Sequence, residues 1–225
     1  MLFDDNKTSS LADEAHRQLE NMFVTLQLVP GSRWSEDALV KHLGIGRTPV
    51  REALLRMHYD NLISIRKNYG IVVSEIDGWA QVMAIEARRN LERLVASKAA
   101  VRAARADRDQ LLAVSHKMED VGVLKVQDYL DLLFEINGLI AKISQNLFLQ
   151  RALSPLHSLS RRFYFAYHEQ LDNLEFVGRL HAARALAIVD GAPSTAVERT
   201  DHLMDVIENF TSQIILSSRK LEQEL

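Results

Sequence analysis

Arg47 and Arg51, four residues apart in the segment Gly46-Arg47-Thr48-Pro49-Val50-Arg51, have the chemistry to read a polyanion. An arginine fork makes paired hydrogen bonds to guanine O6 and N7 or to a phosphate, and a spacing of four puts both forks on one helix face. Thr48 stands with them. Some way downstream, Lys67, Asn68 and Gly70 form a short basic loop that could follow a backbone or a minor groove. Taken alone, two arginines at this spacing describe an ordinary solvated helix face, so the surroundings must decide. Other chemistry is poorly supported. With no Cys there is no disulfide framework, thiolate zinc finger, iron–sulfur cluster or cysteine nucleophile. Ser158 and Ser160 near His157 lack a strand-to-helix elbow and an acidic partner pattern. The run Arg161-Arg162-Phe163-Tyr164-Phe165-Ala166-Tyr167-His168 divides between core and surface on a helix. No phosphate loop or dinucleotide fingerprint occurs.

The elements around the arginines favour the nucleic-acid reading. Leu11, Ala15, Leu19, Met22 and Leu26 recur with helical spacing and predict a helix over 11–27, ending before Val29-Pro30-Gly31. A second helix over 35–43 buries Leu39 and Leu43, and Gly44-Ile45-Gly46 is a break too short for a strand. The next helix starts at once, with Thr48 as its expected N-cap, Pro49 at the first helical position, and Val50, Leu54 and Met57 facing inward. Arg47 and Arg51 face the other way. Leu62-Ile63-Ser64-Ile65 and Ile71-Val72-Val73 then read as strands around a loop containing Gly70. This order is a winged helix-turn-helix, whose second helix offers its N-terminal residues to the major groove. From Asp77 onward only helical periods remain, at about 76–106, 108–119, 124–145, 147–169, 175–190 and 193–222. The expected fold is mainly α. Residues 1–76 form the winged DNA-binding domain, and residues 77–225 form a bundle of about six helices.

Composition agrees. The chain has 225 residues, 47% hydrophobic and 25% charged, with 9 Gly and 4 Pro, which suits one large or two small ordered, helix-rich domains. No apolar run approaches the ~18 residues needed to span a bilayer, and the first residues lack the pattern of a signal peptide, so a cytoplasmic protein without a membrane partner is expected. The net charge is −3, yet residues 31–76 carry seven Lys/Arg against five Asp/Glu. A polyanion would meet only that part of the chain.

With these residues in place, Pro30-Gly31 and Gly46-Arg47-Thr48-Pro49-Val50-Arg51-Glu52-Ala53-Leu54 resemble the DNA-binding domain of GntR-type bacterial regulators, in particular the FadR-like subfamily with an all-helical, FCD-type effector domain. The chain departs by carrying Gly46 where the family usually has Ser, which removes one phosphate contact, and Asp60-Asn61-Leu62 in place of Glu-Gly-Leu. The resemblance implies DNA contacts from Arg47, Thr48 and Arg51, with the wing tip at Lys67, Asn68 and Gly70. In the C-terminal half, Arg88-Arg89-Asn90-Leu91-Glu92 is similar to the family's Arg-x-x-Leu-Glu segment, and Asn146-Leu147-Phe148-Leu149 to its Asn-x-x-Leu segment. His181 and His202 match two metal-binding histidines. The other two ligands fall, counting back from Asn146 without gaps, on Leu133 and Asn137, neither a good ligand for a transition metal. A shift of two residues offers Asp131 and Glu135 instead, although the gap-free count also fits Tyr129.

Two readings follow. The first is a homodimeric transcription regulator of a double-stranded operator, tuned by a small metabolite, with Arg88, Asn137, His181 and His202 converging on a carboxylate. The residues require no cofactor, and a divalent metal such as Zn, Ni or Mn would have only His181 and His202 to hold it. The second is a helical metal-dependent enzyme using Asp131, Glu135, His181 and His202. It leaves residues 30–75 without a role.

Overall fold

The computed structural model describes residues 10–121, 125–170 and 174–223. The chain divides into two compact units, Met1–Ile76 and Asp77–Leu225.

In the first unit, α1 (Leu11–Val24) begins at a capping box, in which the Asp13 N–H donates to Ser10 Oγ and the Ser10 N–H to Asp13 Oδ2, both at 3.1 Å. It ends three residues before the predicted limit. Leu26 has a left-handed backbone at φ 58°, and the chain turns so that Leu28 enters the core instead. Helix α2 (Glu36–Leu43) is capped by Ser35 and stopped by Gly44 at φ 65°, a conformation that glycine adopts without a Cβ penalty. Helix α3 (Arg47–Tyr59) follows after the three residues Gly44, Ile45 and Gly46. Its N-cap is Gly46 rather than Thr48, which moves Pro49 to the third helical position. Proline is tolerated there because the first helical hydrogen bond runs from the Val50 N–H to the Gly46 carbonyl, so Pro49 displaces no bond.

Strands β2 (Ile63–Arg66) and β3 (Gly70–Val73) form the expected hairpin. A further strand, β1 (Arg33–Trp34), pairs antiparallel with β3, giving the order β1-β3-β2 with Arg33 opposite Val72 and Ile65 opposite Ile71. Two residues carry no readable period, and β1 was not expected for that reason. Leu19, Phe23, Leu39, Val50, Leu54, Met57, Ile63 and Val73 make the core that fixes α3 against α1 and the wing.

The second unit holds six α-helices among its described residues: α4 (Gly78–Arg102), α5 (Arg105–Glu119), α6 (Val126–Ile143), α7 (Leu147–Tyr167), α8 (Leu174–Val189) and α9 (Pro193–Gln223). The predicted start at residue 124 lies outside the described residues. The first predicted helix continues to 106, but α4 stops at Arg102, and Ala103 and Ala104 run extended before α5. No Gly or Pro marks this break; Asp107 makes it, its Oδ2 accepting the Ala104 N–H at 3.0 Å. Asn146 caps α7 by accepting from the Phe148 and Leu149 N–H groups, and Leu149 is buried, so the Asn-x-x-Leu segment is a cap followed by an anchor. Helix α4 packs on α9, α7, α6 and α8, and α5 covers α8 and α6 from the other side.

Candidate nucleic-acid interface and ligand cavity

Arg47, Thr48 and Arg51 all occupy the exposed first turns of α3. Both arginines bridge back to the start of α2: Arg47 Nη2 lies 2.5 Å from Asp37 Oδ1, and Arg51 donates to Glu36 through Nε at 3.0 Å and Nη2 at 2.8 Å. These pairs aim the two guanidiniums across the helix-turn-helix surface. Because the pairs are exposed, they are weak, and a phosphate or a guanine edge can displace the carboxylates. Arg56 on the same helix instead bridges Asp13 of α1 and Glu52. Its hydrogen bond to Asp13, helped by Ser10, lowers that carboxyl to about 2.

At the wing, Lys67 and Asn68 are exposed, and Asn68 has φ 60°, which asparagine tolerates better than most residues. Gly70, at φ 90°, passes so near β1 that an added Cβ would lie 2.7 Å from the Trp34 carbonyl oxygen. Asn68 and Gly70 therefore shape the wing. Sequence reasoning missed Arg33 and Arg66, whose guanidinium carbons lie 4.2 and 5.8 Å from the Tyr69 ring centre. Both are exposed, Arg66 on β2 next to Lys67 and Arg33 on β1, and only Arg66, adjoining the basic loop, had a signal in the sequence.

In the helical unit a cavity of about 290 Å³ is bounded by α4, α6, α7, α8 and α9. Its polar wall includes Arg88, Asn137, His157, Arg161 and His181. Tyr129, Leu133, Phe163, Tyr164, Phe176 and Phe210 line much of the rest, and no Asp or Glu is among the described lining residues. Behind the polar wall lies Glu92. Arg88, one turn earlier, donates Nε to Glu92 Oε1 at 2.8 Å and holds Nη2 at 2.6 Å from the same oxygen. Arg184 of α8 donates to Glu92 Oε2 at 2.5 Å and to Asn137 Oδ1 at 2.6 Å. His157 Nε2 lies 3.1 Å from Glu92 Oε1. Arg184 Nη2 also approaches His181 Nδ1 at 3.5 Å. A guanidinium only donates, so this Nδ1 accepts and the imidazole proton sits on Nε2.

Burial opposes ionisation of Glu92, but Arg88, His157 and Arg184 together hold its carboxyl well below the usual range. Burial pushes His157 down against the pull of Glu92, and burial with Arg184 pushes His181 well down, so both rings are neutral at neutral pH. One carboxylate thus faces two guanidiniums. With both imidazoles neutral, the cluster keeps a net positive charge behind and within the cavity wall.

The predicted cavity set assembles in part. Arg88, Asn137 and His181 meet at one wall. His202 does not join them: it lies exposed on α9, outside the lining residues, with its ring 6.4 Å from that of Phe176. Asp131 and Glu135 are exposed on α6, while Leu133 and Asn137 face inward, so the gap-free register describes the helix. The quartet Asp131, Glu135, His181 and His202 is not brought together, and the metal-enzyme reading loses its site.

The metal implied by the resemblance does not fit these residues. Leu133 has no donor, Asn137 Oδ1 is bonded to a cation, His181 Nδ1 faces the same cation, and His202 points elsewhere. Among the described residues no group of three His, Cys, Asp or Glu is placed to hold an ion. Sequence reasoning also missed Arg184, one turn beyond His181 on α8; its signal was a charge on the buried face of a helix whose other charges, Glu175 and Arg179, pair with each other at the surface.

A winged helix with arginines at the start of its second helix, joined in one chain to a helical unit enclosing a polar cavity, has the build of a bacterial transcription regulator. Family models match at residues 11–73 (Bacterial regulatory proteins, gntR family) and 84–206 (FCD domain). The chain belongs to the GntR family, in the group that carries an FCD domain. It is 28% identical to the Nta operon transcriptional regulator of Aminobacter aminovorans over 149 residues, covering 64% of this chain and 68% of that one. A Streptomyces ambofaciens HTH-type regulator is 36% identical over 64 residues, 28% of this chain and only 27% of the relative. The E. coli protein McbR/YncC has a TM-score of 0.79 at 19% identity, over 92% of this chain and 100% of that chain. Listeria monocytogenes Lar, described as controlling the agr system, has a TM-score of 0.58 at 18% identity, over 92% and 99%. At such identities the likeness is one of fold.

Proposed function

We propose that this regulator, of the FadR-like subfamily, binds an operator as a homodimer in the cytoplasm and changes its affinity when a small carboxylate occupies the helical cavity. Arg47, Thr48 and Arg51 would meet base edges and phosphates of one half-site, and Lys67, with Arg33 and Arg66, the adjoining backbone. One winged helix covers a half-site only, so a two-fold pair supplies useful affinity. The name of the Aminobacter relative, an operon regulator, is in keeping with this role.

The observation that carries the effector class is the cavity wall, where Arg88 stands beside His181 and aromatic rings. Arg88 bonds Glu92 through Nε and Nη2 and keeps Nη1 for a ligand. A carboxylate entering there meets a cation and the His181 Nε2–H donor, while its body contacts aromatic rings.

A thermal-shift screen of mono- and dicarboxylates tests the proposal. Some members should raise the melting temperature and alter operator retention in a gel-shift assay. Arg88→Ala should abolish the thermal shift and leave unliganded DNA binding intact, because Glu92 retains Arg184 and His157. Carboxylates that stabilise the Arg88→Ala protein as much as the wild type would overturn the assignment.

A further inference from the structure

We propose that the Arg184 guanidinium is a resident cation that replaces a metal ion in this chain, gathering Glu92, Asn137 and His181 from three helices. A carboxylate oxygen, an amide oxygen and an imidazole nitrogen all turn toward its two terminal nitrogens, at 2.5, 2.6 and 3.5 Å. Such a mixed oxygen and nitrogen set is what a divalent ion would draw together. Here a side chain that is 2% exposed fills that place.

Three further observations agree. Leu133, where the resemblance implies a ligand, is apolar and lines the cavity, so no fourth donor awaits an ion. Arg184 Nε is buried without a hydrogen-bond partner, so the side chain is anchored by its two terminal nitrogens. Glu92 compensates the charge and is itself held ionised, which a cation in this position requires.

A metal ion and this guanidinium cannot share the space, by volume or by charge. Metal binding would make stability depend on ion concentration, whereas a covalently held cation removes that dependence. The cluster is therefore assembled at any metal supply, and metal availability is not an input to this regulator.

The test uses the purified full chain. Wild type should retain no stoichiometric Zn, Ni or Mn after dialysis, and neither these ions nor a chelator should move its melting temperature. Arg184→Ala should melt lower, and Zn²⁺, Ni²⁺ or millimolar guanidinium ion should restore part of the loss, since Glu92, Asn137 and His181 then surround a vacated space. If Arg184→Ala does not fold, Arg184→Lys and Arg184→Met decide: Lys keeping more of the wild-type stability than Met supports a cationic role, and equal behaviour overturns it. Stoichiometric metal on the wild type, or a folded Arg184→Ala protein that no cation restores, would also overturn the proposal.

Discussion

Glu92 is the residue on which the helical unit's electrostatics turn, because it alone offsets Arg88 and Arg184 in the buried cluster. Glu92→Gln should destabilise this unit by about 3–5 kcal/mol, since removing one partner leaves buried charge uncompensated, and urea unfolding of the full chain measures it. The two imidazoles set a pH dependence. Both are held below the ordinary histidine range, so below about pH 6.5 the unfolded chain takes up protons that the native one refuses, and stability falls with pH. Glu92 adds a separate loss only below about pH 4.3, where the unfolded carboxyl protonates before the native one. A melting temperature that stays level between about pH 7 and 5.5 would contradict the neutral-histidine assignment. At this scale the sequence was partly legible. Arg88 and Glu92 stood in a recognisable segment, and an ungapped count gave Asn137. His202 was misplaced because spacing along the chain does not fix which way a residue faces on a long helix. Arg184 was invisible because nothing in the sequence separates it, a buried charge, from Arg179, an exposed one, on the same helix.

Elements were legible where a side chain or a period marks them. The helical spacing of apolar residues gave α1, α2 and α3, and Ala15, Leu19, Met22, Leu39, Val50, Leu54 and Met57 are buried as the periods chose, whereas Leu11 is exposed and Leu26 and Leu43 are half-buried at helix ends. Boundaries failed where backbone geometry decides, as at Leu26 and at the Ala103-Ala104 break, since neither site has Gly or Pro. The cap of α3 slipped from Thr48 to Gly46, which has no side-chain acceptor. At the start of α7, by contrast, Asn146 accepts two N–H groups, and Asn146→Ala should cost about 1 kcal/mol. Chemical denaturation of the variant measures this, and an unchanged midpoint would mean that the cap contributes nothing to α7.

For the whole molecule, the strand signals stop near residue 76, where the two units divide, and the resemblance pointed to three polar residues of the cavity, Arg88, Asn137 and His181, whereas its aromatic lining was not readable because it comes from helices distant in sequence. Selection from a random duplex pool by the purified full chain shows whether the exposed start of α3 reads DNA. Wild type should enrich a two-fold-symmetric site, with half-sites spaced by about one helical turn or a multiple of it. Arg51→Ala should lose roughly 1–3 kcal/mol per half-site and relax the preference at one base position, whereas Lys67→Ala should weaken all sequences alike and lower the salt dependence. No enriched sequence with wild type, or the same site enriched equally well by Arg51→Ala, would contradict the account.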